Sequence, residues 1–555
     1  MRRSLLCLLL CASFAAAATR EPVHTRHAMV ATTEPHATRI GVDVLRDGGN
    51  AVDAAVAVGL ALAVTHPAAG NLGGGGFMLI RFADGRSTFI DFREKAPAAA
   101  SRNMYLGADG KPTDESIVGY KASGVPGTVR GLAMALDKYG TKRWRTLVEP
   151  AQRLAERGVV LSWSEAQAME GSSRLAQFEE SKRIFQNGGS FFAYGDLFRQ
   201  RDLAATLKRI ARKGPNEFYE GETARLIAED MRRNGGLMTR EDLAAYNAKE
   251  REPVRGSYRG YEVLSAPPPS SGGAGVVQML NMLEGSRYFE AGFGSASATH
   301  YVAECMRRFF ADRAEYFGDT DFADVPLEEL LSPAYAKRRA ATIDPERATP
   351  SAEVKPGLAL APESTQTTHY SIVDAEGNAV AVTYTLNGSF GSGVTAKGTG
   401  VLLNNEMDDF TAKPGEPNMF GLLQSARNAI EPGKRPLSAM SPTILSRDGK
   451  LAFVTGSPGG PTIISTVLQS ILNVVDFGMD VQQAIDAPRF HHQWMPDELR
   501  MDDEGFSPDT IRLLEERGHT IRRVAPMGRA MAIRVTEKGL MGASDARSAG
   551  LAAGY

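Results

Sequence analysis

The stretch TTHYSIVD, residues 367–374, lies about two-thirds of the way along a chain of 555 residues. Thr368 to Val373 alternates in the manner of a half-buried β-strand, and the DAEGN run at residues 374–378 is a strong turn signal. Residues 379–387 (AVAVTYTLN) have the composition of a second strand. The segment therefore predicts a β-hairpin centred near Glu376.

This hairpin would place two threonines opposite each other. Thr367 precedes Glu376 by nine residues, and Thr385 follows it by nine. Opposed residues hold their Cβ atoms roughly 4.5–5.5 Å apart, which leaves two hydroxyls within hydrogen-bond reach. A register slip of one residue would break the pairing. From these residues alone two interpretations stay open, a structural pair of strand threonines or a catalytic pair.

A threonine hydroxyl is a useful nucleophile only where a base removes its proton. If Thr367 became the first residue of a chain, its own α-amine would lie beside the hydroxyl and could act as that base. An internal threonine in a β-prone run is otherwise an ordinary strand residue. The chemistry therefore depends on whether the chain is cut before Thr367.

The composition is that of a globular protein. Hydrophobic residues make up 43% of the chain and charged residues 23%, which does not fit a disordered or membrane-embedded chain. The formal net charge is −2. Because nucleic-acid binding calls for a clustered basic surface, no nucleic acid is expected as a partner.

The N-terminus has the pattern of a secretion signal. Two arginines precede an apolar run over residues 5–10, and an alanine motif at residues 16–18 offers a cleavage site. We expect residues 1–18 to be a signal peptide and the protein to be periplasmic or secreted. Two of the three cysteines lie in that segment, so Cys305 would remain alone and no intramolecular disulfide could form.

The rest of the chain mixes helices and strands. Asn50 can cap a helix over Ala51–Val64 that is apolar nearly all round and should be buried between other elements. Residues 125–250 have largely helical patterns, and the PPPSSGG run at 267–273 predicts a sharp loop. Residues 341–366, rich in Pro, Ala and Glu, predict a mobile linker.

Three further segments concentrate polar groups: NNEMDDF at 404–410, KRPLSAMSP at 434–442 and TGSPGG at 455–460. Gly459 and Gly460 can present backbone N–H groups without side-chain obstruction, as an oxyanion hole requires. Taken singly, each segment also has an ordinary explanation, as an acidic solvated loop, a proline turn or a glycine turn.

The adjacent histidines His491 and His492 are the most visible candidate for a metal pair. Neighbouring residues on a strand point to opposite faces, and no clear third ligand accompanies them. We therefore expect both histidines to be structural, and neither a metal nor another cofactor is expected.

Taken together, the motifs resemble the gamma-glutamyltranspeptidase family. TTHYSIVD, TYTLN, LLNNEMDDF, RPLSAMSPT and GSPGG occur in that family's order and spacing, as do DFREKAP at residues 91–97 and the glycine run at 71–78. The resemblance covers essentially the whole mature chain. It implies an α+β fold of the N-terminal-nucleophile hydrolase type, a four-layer αββα sandwich with two β-sheets packed between helical layers.

The resemblance also implies that the chain processes itself. The Thr367 hydroxyl would attack the carbonyl of Gln366, and the resulting ester would be hydrolysed. The products would be a large subunit, residues 19–366, and a small catalytic subunit, residues 367–555, which form a heterodimer. Thr367 would then be the nucleophile toward substrate.

The other catalytic positions of the family also have counterparts here. Thr385 matches the threonine that hydrogen-bonds and orients the nucleophile. Gly459 and Gly460 match the pair that stabilises the tetrahedral oxyanion.

The substrate's γ-glutamyl head is a zwitterion, so its pocket needs both signs of charge. Arg93 is similar to the family residue that binds the α-carboxylate, where a guanidinium can bind bidentately, and Ser438 would add a hydroxyl. Glu406, Asp409 and Asn387 match the positions that hold the α-ammonium. The implied donors are γ-glutamyl compounds such as glutathione, with water, an amino acid or a dipeptide as acceptor.

Two positions depart from the family pattern. Ala439 stands where many members have a second serine, so one hydroxyl is missing from the donor pocket. Phe420 stands where bacterial relatives often have a lid tyrosine that bonds to the pocket asparagine, here Asn387. A phenylalanine can cover the site but cannot form that bond.

Two rival functions are consistent with the same fold. Cephalosporin acylases are similar in fold but prefer a glutaryl group, which lacks the α-amine, whereas the acidic pair Glu406 and Asp409 favours a substrate with an ammonium. The second rival is an exported γ-glutamyl-binding protein that never matures.

Overall fold

Two seven-stranded antiparallel sheets form the centre of the protein in the computed structural model, which describes residues 20–356, 367–413, 419 and 425–555. The expected signal peptide, residues 1–18, lies outside the described residues. The strands are β1 (Val23–Thr25), β2 (Met29–Thr32), β3 (Gly75–Arg81), β4 (Ser87–Asp91), β5 (Val159–Val160), β6 (Gln186–Asn187), β7 (Ser190–Phe191), β8 (Leu197–Phe198), β9 (Lys249–Arg251), β10 (Val254–Tyr258), β11 (Tyr261–Ser265), β12 (Thr368–Val373), β13 (Ala379–Thr385), β14 (Thr395–Ala396), β15 (Val401–Leu402), β16 (Thr443–Arg447), β17 (Lys450–Gly456), β18 (Phe490–His491), β19 (Leu499–Asp502), β20 (Ile521–Val524), β21 (Met531–Thr536), β22 (Gly539–Ser544) and β23 (Leu551–Gly554).

Helices lie outside both sheets, some packed directly on a sheet and others on further helices. They are α1 (Pro35–Arg46), α2 (Ala51–Thr65), α3 (Thr128–Tyr139), α4 (Trp144–Arg157), α5 (Trp163–Glu170), α6 (Glu179–Phe185), α7 (Arg201–Lys213), α8 (Asn216–Tyr219), α9 (Glu222–Arg233), α10 (Arg240–Ala245), α11 (Gly272–Glu284), α12 (Ala296–Tyr316), α13 (Leu327–Leu330), α14 (Pro333–Ala340), α15 (Pro461–Val475), α16 (Val481–Asp486) and α17 (Pro508–Glu516). Within the described ranges, no helix combines the length and the apolar character needed to cross a membrane.

The two sheets pack face to face as the predicted αββα sandwich. The first sheet has the strand order β1-β22-β21-β17-β16-β11-β10, and the second has the order β23-β2-β12-β13-β3-β4-β9. Helices α11 and α15 lie against the first sheet, and α1, α2 and α3 lie against the second. Each sheet therefore buries one face under helices and the other against its partner sheet, which confirms the predicted fold class.

Helix α2 forms the apolar layer outside the second sheet. All of its 15 residues are buried, and the Asn50 side chain accepts hydrogen bonds from the backbone N–H groups of Val52 and Asp53. Both the cap and the burial confirm the sequence prediction. A helix that is apolar on every side can be stable only when it is enclosed in this way.

The predicted hairpin is present in the predicted register. Strands β12 and β13 are antiparallel, with Thr368 opposite Tyr384 and Val373 opposite Ala379, so the turn is centred on Glu376. Every residue of β12 is buried, and the expectation of a half-buried strand was therefore wrong. The second face of the strand packs against the first sheet and not against solvent. The sequence of one strand alone does not indicate that a second sheet covers it.

Two tyrosine hydroxyls attach this hairpin to α2. Tyr370 Oη donates to the carbonyl of Ala55 at 2.9 Å, and Tyr384 Oη donates to the carbonyl of Gly59 at 2.9 Å. A Cβ atom at Gly59 would lie only 2.8 Å from the Tyr370 hydroxyl. Glycine at this helix position thus allows the strand to approach closely.

Part of the predicted mobile linker is packed. The Trp494 indole N–H donates to the carbonyls of Ser351 (2.8 Å) and Val354 (3.0 Å), and the Ser351 N–H donates to Asp497 at 2.7 Å. The linker prediction is corrected accordingly: residues 341–356 belong to the packed structure, because distant side chains satisfy their backbone polar groups. Residues 357–366 lie outside the described residues.

We predict that Trp494→Phe loosens this segment. The substitution keeps an aromatic ring but removes the donor shared by two buried carbonyls, at a cost of about 1–3 kcal/mol. Trypsin should then cleave after the exposed Arg347 faster than in the wild type. Trp144→Phe, which removes an indole donor in α4, is the matched control and should leave that rate unchanged. Equal rates for Trp494→Phe and the wild type would contradict the packing described here.

Candidate active site

A small cavity lies where the hairpin strands end between the two sheets. It brings together side chains that are far apart in sequence and includes nine of the predicted site residues. The lining residues are Arg93, Thr367, Thr385, Asn387, Glu406, Asp409, Ser438, Ala439, Met440, Gly460 and Ile463. Of the remaining predicted residues, Gly459 adjoins Gly460 without lining the cavity, while Gln366 and Phe420 lie outside the described residues.

The two predicted threonines meet at one end of this cavity. Continuing the register of β12 and β13 by one residue pairs Thr367 with Thr385. Side chains alternate along a strand, so both threonines share the face of the hairpin that is turned toward the first sheet. Thr385 is held through its side chain and its backbone: its Oγ1 accepts from the Asn387 N–H at 2.8 Å, and its carbonyl accepts from the Asn71 side chain at 2.8 Å.

The glycine pair follows strand β17 of the opposing sheet. Gly459 has a φ of 134° and Gly460 a φ of 58°, conformations that other residues rarely adopt. Gly460 is also the N-cap of α15, and Pro461 occupies the first turn of that helix. The N-terminus of a helix has unpaired N–H groups and a partial positive charge. The sequence analysis identified the glycines but missed the helix start, for which Pro461 was the available signal.

The charged end of the cavity is centred on Arg93, which follows strand β4. Its guanidinium donates to Glu406 and Asp409, both more than three hundred positions later in the chain, and its Nη2 also donates to the Leu437 carbonyl at 3.0 Å. The Arg93 side chain is 1% exposed. The residues predicted to bind opposite ends of a zwitterion are therefore paired with each other in this structure.

A third carboxylate, Glu94, lies beside the same guanidinium and was missed by the sequence analysis. Its Oε2 is 3.6 Å from Arg93 Nη1, and its side chain is fully buried. The available signal was its place in the DFREKAP motif directly after Arg93. One buried arginine is thus surrounded by three acids, a local excess of negative charge.

Burial and charge act in opposite directions on this cluster. Burial raises the pKa of Glu94 to about 7, with the Arg93 charge opposing the shift. Burial also raises the pKa of Glu406 well above its ordinary range, and the neighbouring charges of Glu94 and Asp409 add to the effect. For Arg93, burial lowers the pKa, but Glu406 and Asp409 outweigh it and keep the guanidinium charged. A cationic ligand group would relieve the repulsion among the acids.

Asn387 and Ser438 complete the polar wall of the cavity. Asn387 has a φ of 72°, and its side chain donates to the Asn405 carbonyl at 3.0 Å. Ser438 Oγ accepts from the Met440 N–H at 3.2 Å, so its own proton remains available to the cavity. Ala439 also lines the cavity and leaves a surface without a hydroxyl beside Ser438.

The adjacent histidines have protein partners, as expected for structural residues. His491 bonds to Ser465 at 2.9 Å and to Gln493 at 3.1 Å, and His492 accepts from the Trp494 N–H at 3.1 Å.

One other group in the described part of the chain has the spacing of metal ligands, and it consists of His300, Glu304 and His519. Its imidazoles are hydrogen-bonded to each other at 2.8 Å, and Glu304 is paired with Arg307 and Arg308. Hydrogen bonds and ion pairs between protein groups therefore account for this cluster.

The fold and the site together define a class of protein. Two antiparallel sheets are packed between helical layers, a nucleophile candidate immediately precedes a central strand, and a glycine loop faces it. This is the architecture of the N-terminal-nucleophile hydrolases.

Comparison with known proteins defines the family within that class. The model of the family Gamma-glutamyltranspeptidase matches residues 37–555. The glutathione hydrolase proenzyme of Escherichia coli (strain K12) is 54% identical over 539 residues, which cover 96% of this chain and 93% of the relative. This chain therefore belongs to the gamma-glutamyltranspeptidase family.

Solved structures agree with this assignment. A chain of Helicobacter pylori gamma-glutamyltranspeptidase is 49% identical, with a TM-score of 0.58, and the match covers 58% of this chain and 94% of that one. Cephalosporin acylase from Bacillus halodurans is 27% identical, with a TM-score of 0.86 and 99% of both chains covered.

We predict that Glu94→Gln becomes more stable relative to the wild type as pH rises from about 5 to 8. A carboxyl with a raised pKa keeps its proton in the folded state after the unfolded chain has released it. Wild-type stability therefore falls between the ordinary carboxyl pKa and about 7. Glutamine has no proton to lose, so the difference in melting temperature should increase in its favour.

Glu304→Gln is the control for this measurement. Burial opposes the shift, but Arg307 and Arg308 lower the pKa of Glu304. Its carboxylate therefore stabilises the wild type fully above the ordinary carboxyl pKa, and the stability difference between Glu304→Gln and the wild type should be flat from about pH 5 to 8. A flat pH dependence for Glu94→Gln would contradict the raised pKa of Glu94.

Proposed function

We propose that this protein is a γ-glutamyl hydrolase and transferase that cuts its own chain before Thr367 and then uses Thr367 as its nucleophile. The observation that supports this most directly is one cavity in which the Thr367–Thr385 pair faces Gly460 at one end and Arg93 with its acids at the other. The relatives named as glutathione hydrolase proenzymes support both the activity and the self-processing.

The first reaction is the cleavage of the precursor. Thr367 Oγ attacks the carbonyl carbon of Gln366, the C–N bond between the two residues breaks, and the α-nitrogen of Thr367 takes up the proton. Water then hydrolyses the ester, which leaves a carboxylate on Gln366 and a free amine on Thr367. Thr385, held by hydrogen bonds to its hydroxyl and its carbonyl, orients the nucleophile during this step.

The two chains remain together after cleavage because both sheets contain strands from each. In the second sheet, β12, β13 and β23 come from the small subunit and lie among β2, β3, β4 and β9 of the large subunit. In the first sheet, β1 pairs with β22 and β11 pairs with β16 across the same division. Separation would break five strand ladders, so the mature protein is a heterodimer.

The mature site then transfers the γ-glutamyl group. The α-amine of Thr367 accepts the hydroxyl proton as Oγ attacks the γ-carbonyl, and it returns the proton to the leaving amine. The N–H groups of Gly459 and Gly460, at the N-terminus of α15, stabilise the oxyanion; loss of one such donor typically costs about 10²–10³ in rate. Water or an amino acid or peptide amine resolves the ester intermediate.

Donor recognition exchanges one set of ion pairs for another. The α-ammonium of the donor inserts beside Glu406 and Asp409, two of the three acids that surround Arg93. The α-carboxylate takes the vacated face of Arg93 and the Ser438 hydroxyl. A zwitterion satisfies both halves of the cavity, whereas an anion alone would leave buried acids unneutralised.

A second candidate function is the hydrolysis of a glutaryl amide. The observation in its favour is the match to a cephalosporin acylase over 99% of both chains. The surplus of buried acids beside Arg93 argues against it, since a glutaryl group would bring one more negative charge and no ammonium.

Substitution of Thr367 tests the main proposal. Wild-type protein should appear as two chains on a denaturing gel and cleave a γ-glutamyl anilide. Thr367→Ala should remain one chain and be inactive, because it lacks the hydroxyl for both reactions. Ser465→Ala, which removes a buried hydroxyl bonded to His491, is the control and should still mature. A single-chain, inactive wild type would overturn the proposal.

The preference between the two acyl groups provides an independent test. Wild type should cleave γ-glutamyl p-nitroanilide at least about 100-fold more efficiently than glutaryl p-nitroanilide, the scale expected of charged hydrogen bonds worth about 1.5–3 kcal/mol. Glu406→Gln should reduce that ratio by about tenfold or more, because it removes charge that only the γ-glutamyl donor uses. A wild type that prefers the glutaryl amide would favour the acylase function instead.

A further inference from the structure

The PPPSS run, residues 267–271, packs directly behind the donor pocket, and we call it the serine loop. Its backbone and side chains surround one residue of the cavity wall. The Ser438 N–H donates to the Pro269 carbonyl at 2.8 Å. The Ser438 carbonyl accepts from the Ser271 N–H at 2.8 Å and from Ser271 Oγ at 2.9 Å. Ser438 is therefore fixed on both sides of its peptide unit.

A buried arginine sets the direction of the Ser271 hydroxyl. Arg313, in α12, donates from its Nε to Ser271 Oγ at 2.7 Å. A serine hydroxyl has one proton, and because its oxygen already accepts from Arg313, that proton is directed to the Ser438 carbonyl. Burial lowers the pKa of Arg313 to about 9, with Asp409 opposing the shift, so the guanidinium stays charged at neutral pH.

The same contacts involve only the backbone of Ser438 and leave its side-chain hydroxyl directed to the cavity. Its Oγ lines the cavity and accepts from the Met440 N–H, while Ser270 Oγ donates to the Met440 carbonyl at 2.7 Å. The serine loop thus holds residues 438–440 by their backbone alone. All of these groups are buried, so water cannot replace a missing donor without entering the core.

We infer that Ser271, oriented by Arg313, is a positioning residue for the α-carboxylate of the donor. This inference rests on the proposed function and adds a part of the site that the sequence motifs do not assign. Ser271 precedes the cleavage point and Ser438 follows it. The large subunit therefore supplies the support for a donor-binding residue of the small subunit, and the carboxylate pocket is complete only when both chains are present.

The role predicts a specific kinetic signature for Ser271→Ala. The KM for γ-glutamyl p-nitroanilide should rise about tenfold, while kcat and the extent of self-cleavage change less than about twofold, because the Thr367–Thr385 end is untouched. For 4-aminobutanoyl p-nitroanilide, which lacks the α-carboxylate, kcat/KM should be the same in variant and wild type. A role confined to stability would change both donors equally.

Ser351→Ala is the matched control. Ser351 is also a fully buried serine whose hydroxyl accepts from a buried arginine, Arg307, but it lies in the segment packed against Trp494. Its substitution should leave KM for both donors unchanged. If Ser271→Ala does not accumulate as a two-chain enzyme, Ser271→Cys, which keeps the volume but is a weak donor, should show the same increase in KM.

The outcomes separate this inference from the proposed function. An active wild type with an unchanged γ-glutamyl KM in Ser271→Ala, or with equal losses for both donors, overturns the positioning role and leaves the enzymatic activity standing. A wild type that cleaves neither donor overturns both.

Discussion

The register of one hairpin is the constraint on which the active site depends. Strands β12 and β13 are fixed on one face by two tyrosine hydroxyls bonded to the backbone of α2, and on the other by the first sheet. Because side chains alternate, a shift of one residue would turn Thr367 toward the helices and away from the glycine loop. The fully buried helix α2 therefore helps to fix the position of Thr367 by opposing that shift, although it lies outside the cavity.

A second constraint is electrostatic and decides which ligand fits. Arg93 is enclosed with Glu94, Glu406 and Asp409, so the pocket has more acids than bases in a region with little access to water. Such a cluster is costly unless protons or a ligand reduce its charge. A zwitterionic donor supplies an ammonium for the acids and a carboxylate for Arg93, and this makes the γ-glutamyl head a better match than a plain diacid.

Much of this arrangement could be predicted from local sequence, since the turn signal after Val373 set the register and Asn50 marked a helix start. The motifs also gave the cavity residues. What local sequence could not give was the environment of each group. Arg93 and Glu406 are 313 positions apart, and their pairing follows only from the packing of sheets. The composition of residues 341–356 suggested a mobile linker. It could not show that this segment is packed, because the indole N–H that binds its carbonyls belongs to Trp494, far along the chain.

The central claim is that Thr367 becomes a chain terminus and takes the acyl group itself. Mass spectrometry of an acid-quenched reaction with a γ-glutamyl amide tests this directly. If Thr367 is the acylated nucleophile, one added γ-glutamyl group is expected on a peptide that begins at Thr367 with a free α-amine. An adduct on another residue, or an active enzyme in which Gln366 still precedes Thr367 in the same peptide, would contradict it.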